Sequence, residues 1–176
     1  IDQFWLPMIG SFKDKKFTSI TQGQINLDDL DEKNKDKKSE NKDQKEKQDK
    51  EFVDLIAQMK VVLGEQVKDI RLSSKLTDSP VCLVADDGDM DIAMEQLMAQ
   101  RDTNYKGAPR ILEINGDHSL IKNMKSLLSK KENNDLVSDA GTLLFEQARL
   151  LEGKMPADPA QFSKIMNQFL IKAIPE

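Results

Sequence analysis

Side chains suited to covalent or metal chemistry are scarce: one histidine, His118, and one cysteine, Cys82, in 176 residues. A metal centre needs several ligands, and a nucleophile needs a base within hydrogen-bond reach. His118 stands beside Asp117 at the expected start of a helix, where capping alone explains a polar residue. Cys82 sits in Val81-Cys-Leu-Val84 and reads as a small buried hydrophobe. No glycine-rich phosphate loop of the Walker or dinucleotide kind is present. The carboxylates fall mostly in one charged run and on helix faces. No catalytic residue, metal site or cofactor is expected from these residues.

What remains is non-covalent chemistry, and methionine is its clearest marker. The stretch Met90–Gln100 carries three of the eight methionines. Met90, Met94, Leu97 and Met98 fall on one helical face, with Asp87 or Asp89 able to cap its start. Methionine's flexible, polarizable thioether adapts to irregular apolar surfaces, which suits promiscuous binding. An ordinary core face fits the same spacing.

The end of the chain, Asp135 to Ala173, reads as two amphipathic helices. In the second, Phe162, Ile165, Met166, Phe169, Leu170 and Ala173 recur at three- and four-residue steps. Asp158 caps it, Pro159 sits where a missing N–H costs nothing, and Gln161 can close a capping box. The first helix is apolar on two stripes. One is Leu136, Ala140, Leu143, Leu144 and Leu151; the other is Val137, Gly141, Phe145 and Ala148. Gly153 and Pro156 end it. Two stripes need two surfaces, either both within one domain or one of them on a second copy of the chain. Gly141 costs about 1 kcal/mol in helix propensity, a cost that close approach by a partner helix would explain.

The elements between are short. Phe52, Leu55, Ile56, Met59, Val62 and Leu63 make an amphipathic helix ending at Gly64. Strands are expected at Val67–Leu72, Pro80–Ala85 and Arg110–Ile114, with a turn over Leu76–Pro80. A further helix spans Ser119–Ser129. The fold class is α+β, with a small three-stranded antiparallel sheet covered by helices. Residues 1–30 form a partly apolar unit, with Phe4, Trp5, Met8 and Ile9 on a helix weakened by Pro7 and a strand at Phe17–Ile20. Such a short piece must lean on a neighbour. Residues 31–50 contain no apolar side chain and form a charged linker, either disordered or a solvated helix. The main domain is 51–176.

The totals exclude several classes. A net charge of −5 argues against nucleic acid or an anionic membrane as partner. No apolar run reaches the length of a membrane span, and a single cysteine suits a reducing cytoplasm. The chain opens at Ile1, as expected of a fragment or processed product.

Several motifs in order carry a resemblance. Val67–Pro80 (VKDIRLSSKLTDSP) closely resembles a segment in the C-terminal domain of the bacterial HtpG chaperones, prokaryotic members of the ninety-kilodalton heat-shock family. Ile1-Asp-Gln-Phe4 with Lys16–Ile20 looks like the end of that family's middle domain. Glu113-Ile-Asn-Gly-Asp-His118 is similar to its Glu-x-Asn-Pro-x-His signature, with Gly116 in the proline's place. Asp158-Pro159, Phe162 and Met166-Asn-Gln168 resemble its last helix.

The resemblance implies a homodimer in which Leu136, Ala140, Leu143, Leu144, Ala148, Leu151, Phe162, Ile165, Met166, Phe169 and Leu170 line an intermolecular four-helix bundle. It implies contact with unfolded or partly folded client proteins through Met90, Met94, Leu97 and Met98, and through Phe4 and Trp5. It also implies that ATP and Mg bind in an N-terminal domain outside this sequence, so this piece would not hydrolyse ATP. The acidic Glu-Glu-Val-Asp tail of eukaryotic relatives is missing from Ile174-Pro-Glu176, so cochaperones that read it are not expected. A scaffold or adaptor binding a different protein through its terminal helices is the alternative function.

Overall fold

The computed structural model describes residues 9, 11–13, 15–16, 38–86, 89–90, 95, 97–98, 101, 107–128 and 133–174. Near the N-terminus, β1 (Ser11–Phe12) and β2 (Lys15–Lys16) pair as an antiparallel hairpin. Phe4, Trp5 and the expected strand at 17–20 lie outside the described residues.

Helix α1 (Lys38–Leu63) begins inside the charged run and continues without a break into the apolar-patterned stretch. The boundary expected between residues 50 and 51 therefore falls within one helix. The second half is held by packing, because Phe52, Leu55, Met59 and Leu63 are all buried in the core. Each such side chain contributes about 1.5–3 kcal/mol on leaving water. Gly64, at φ +51°, ends the helix, and one tight turn leads into β3 (Val67–Leu72).

The sheet order is β3-β5-β4, with β4 at Val81–Val84 and β5 at Arg110–Ile114. The antiparallel expectation holds only for β4 against β5; β3 and β5 run parallel. The long excursion between β4 and β5 is the reason. It returns the chain between β3 and β4, which run opposite to each other, so that β5 is antiparallel to β4 and parallel to β3. Register and pleat then separate the two faces. Ile70, Leu112 and Leu83 align across the sheet, as do Leu72, Ile114 and Val81, toward the helices. Arg71, Glu113 and Cys82 align on the opposite face.

Helix α2 (Ser119–Leu128) buries Ile121 and Met124. Helix α3 (Asn134–Leu151) buries Val137, Ala140, Gly141, Leu144, Phe145 and Ala148. Gly141 faces α1 of its own chain: a Cβ there would lie 3.4 Å from Met59 Cγ. Gly153, at φ +77°, follows α3, and the chain turns into α4 (Pro159–Ala173). Asp158 Oδ1 accepts from Gln161 N at 2.9 Å, the cap expected there. Helix α4 packs against α3, yet Ile165 is its only buried residue.

Candidate functional site

The residues that first suggested chemistry serve the fold. Glu113 is buried and accepts from Arg71 Nε at 3.1 Å, Arg71 Nη2 at 2.9 Å and Ser73 Oγ at 2.8 Å. Asn115 Nδ2 donates to the carbonyls of Thr77 at 3.1 Å and Ser79 at 3.2 Å, while Asn115 Oδ1 accepts from Asp117 N at 3.0 Å. Together they pin the β3–β4 loop to β5. His118 Nδ1 accepts from Leu120 N at 3.2 Å, so it caps the start of α2. A Cβ on Gly116 would meet Leu72 and Phe52 side-chain atoms at 3.2 Å, so only the smallest residue passes there without displacement. Cys82 is half-buried; burial, then the Glu113 carboxylate beside it, pushes its thiol up to about 11. No group of three or more His, Cys, Asp or Glu side chains able to hold a metal occurs among the described residues. No described helix is long and apolar enough to cross a membrane.

The described methionines of the 90–100 stretch lie at the surface. Met90 is 42% and Met98 41% exposed, and neither belongs to the core cluster, which argues against the core-face reading. Leu97 is half-buried, and Met94 lies outside the described residues. Met90 itself precedes the helical turn that carries Glu95, Leu97 and Met98. Beneath the segment lies an ion pair not foreseen from the sequence. Arg110 Nη2 donates to Glu95 Oε2, and both side chains are buried. The available signal was a carboxylate set among Met94, Leu97 and Met98 and an arginine opening an apolar strand.

The terminal helices divide the expected seam residues. Ala140, Leu144 and Ala148 are buried in the chain's own core, and Phe169 packs against that core. The first three are thus buried by their own chain, while Phe169 remains half-buried. Ile165 is also buried. Leu136, Leu143 and Phe162 are half-buried, while Leu151, Met166 and Leu170 are exposed. Beyond these, Ile171 is 74% and Ile174 72% exposed. The four-residue step from Met166 through Leu170 to Ile174 was present in the sequence and was missed at its last member. An open groove of about 390 Å³ lies between the start of α3 and the end of α4, lined by Asp135, Leu136, Asp139, Gln168, Ile171 and Lys172. Glu146, buried in α3, accepts from Ala157 N at 3.1 and 3.2 Å through its two oxygens and so fixes the α3–α4 turn.

The profile of the Hsp90 protein family matches residues 1–175. The chain belongs to the Hsp90 family. It is 40% identical over 176 residues to the chaperone protein HtpG of Roseobacter denitrificans, covering 99% of this chain and 28% of that one. HtpG of Wolbachia pipientis wMel is 37% identical over 180 residues, covering 98% of this chain and 27% of its own length. HtpG of Streptomyces coelicolor is 34% identical over 166 residues, covering 94% and 25%. The chain thus spans about a quarter of the length of these Hsp90 relatives.

Proposed function

We propose that this chain is the dimerisation and client-contact part of an HtpG-type chaperone, corresponding to the end of the middle domain (1–30), a charged helical connector and the C-terminal domain (51–176). The observation that carries the reading is the uncovered apolar face of α4. Met166, Leu170 and Ile174 recur one turn apart with Ile171 beside them, and their exposure leaves an amphipathic helix half used. A second copy supplying the same face makes a self-complementary seam, and four helices close over it. Of the residues first assigned to the seam, Leu136, Leu143, Leu151, Phe162, Met166 and Leu170 remain available to it.

The exposed Met90 and Met98 support contact with unfolded or partly folded polypeptides, since thioethers accommodate many apolar shapes. ATP and Mg binding, and hydrolysis, are assigned to parts of the parent chaperone outside this chain, acting in the cytoplasm. The dimer base would hold two such arms together, and the methionine-bearing segments would offer each arm a client surface.

Sedimentation equilibrium at micromolar concentrations tests the seam. The wild-type mass is expected at twice 19.9 kDa. The double variant Leu170→Glu/Ile171→Glu is expected to give a folded monomer, because two carboxylates per chain would have to be buried at several kcal/mol each, by an order-of-magnitude estimate. A wild-type chain that stays monomeric at every concentration, or a double variant that still dimerises, would remove the α4 seam.

A further inference from the structure

One buried carboxylate, Glu95, is tied to β5, to the loop that returns to it and to the α3–α4 turn. Arg110 Nη1 donates to Met90 O at 3.0 Å and so holds the start of the stretch to β5. Arg110 Nη2 donates to Glu95 Oε2, which holds its helical turn to the same strand. Glu95 Oε1 accepts from Ala108 N at 2.7 Å, which holds the returning loop. Gly107 makes that approach possible: its φ is +71°, and a Cβ there would fall 2.6 Å from Glu95 Oε1. From the far side, Lys154 in the α3–α4 turn brings Nζ to 3.8 Å from Glu95 Oε2 and 3.1 Å from Glu152 Oε2.

Burying a carboxylate and a guanidinium is costly, and hydrophobic residues of equal volume could fill the same space. An ion pair has what they lack: direction. It fixes where Met90 and the Glu95 turn begin, and it sees any movement of Lys154. Met98 lies one turn beyond Glu95, so its exposed thioether inherits that position. Glu146 fixes the turn that carries Lys154, through its bonds to Ala157 N. The terminal helix pair and the methionine-bearing stretch are therefore tied at one point.

We infer that Glu95 and Arg110 are positioning residues for the methionine-bearing surface, and that Lys154 couples that surface to the terminal helix pair. The inference rests on the proposed client role of Met90 and Met98, but the geometry it concerns can be read without a client.

The test uses the full-length protein and two readouts. Hydrogen exchange of peptides covering 89–101 reports position. Titration with a labelled, reduced and carboxymethylated lactalbumin, a permanently unfolded polypeptide, reports client binding. Lys154→Gln is expected to speed exchange in 89–101 about two- to fivefold, the scale of a partly exposed ion pair. Lys154→Arg should restore the wild-type rate. Glu95→Gln should speed exchange there by roughly a hundredfold, as expected when a buried pair loses one member. Exchange in β5 should change far less in these variants, and probe binding should weaken in the same order.

Equal acceleration of β5 and 89–101 in Glu95→Gln, with no effect of Lys154→Gln, would overturn the inference, because the pair would then serve global stability alone. If Met98→Glu abolishes probe binding while the Lys154 and Glu95 variants bind as wild type, the coupling fails and the client reading stands. If Met98→Glu binds as wild type, the client reading fails, and exchange still decides the positioning.

Discussion

Replacing Glu113 by glutamine should move two unrelated observables through two separate causes. Glu113 receives two bonds from Arg71 and one from Ser73, and its side chain is 6% exposed against 23% for Arg71. Removing one member of a buried pair typically costs about 3–5 kcal/mol. Arg71 lies on the edge strand β3 and can turn toward water, so the lower end, about 3 kcal/mol, is expected. For a chain of this size each kcal/mol lowers Tm by about 2–4 °C, giving a fall of about 6–12 °C in a thermal melt.

The second observable is Cys82. With its thiol pushed up to about 11, first by burial and then by Glu113, about one thiol in a thousand is ionised at pH 8. From its ordinary value of 9.0 the thiol would be ionised in about one case in ten. Native-state alkylation at pH 8 should therefore be roughly a hundred times slower than in urea, and should accelerate as pH rises toward 11. In Glu113→Gln the negative charge is gone but the burial remains. Alkylation should quicken and still trail the unfolded chain. An unchanged Tm would refute the bonding of Arg71 and Ser73 to Glu113. A destabilised variant whose native Cys82 reacts no faster would refute the placement of that carboxylate beside the thiol.

Two further outcomes follow from burial and capping. Leu144→Glu puts a carboxylate at a site 4% exposed, so far-UV circular dichroism should show loss of the folded state, whereas Leu170→Glu, at 49%, should leave the spectrum unchanged. Asp158→Ala removes the acceptor for Gln161 N and should cost about 1 kcal/mol, a fall in Tm of about 2–4 °C, with faster exchange confined to the first turn of α4.

Local signals in the chain were read correctly where a single residue's physics sufficed. Gly64 and Gly153 adopt the positive φ that ends a helix, Asp158 caps α4, and His118 caps α2. The apolar spacing of Phe52, Leu55 and Met59 found the buried face of α1. The charged run did not reveal its own conformation, because polar composition alone fits either a coil or a solvated helix. Propagation from the packed half beginning near Phe52 favours the helix.

Periodicity tells which residues share a face but not what covers that face. Leu143 and Leu144 were assigned to one stripe, yet Leu144 is buried in the core while Leu143 is half-buried and outside it. Gly141 was rightly read as a site of close approach, but only the fold could say that Met59 of the same chain makes it. The sequence by itself determined the three strands of the main sheet, the packed half of α1, the helices α2 to α4 and the α+β class, because these depend on propensity and spacing within a few residues. Tertiary structure decided the parallel pairing of β3 with β5, the Glu95–Arg110 pair and the uncovered face of α4. Each depends on segments brought together by the crossover between β4 and β5 or by the turn of α4 onto α3, and no local pattern encodes which surfaces then meet.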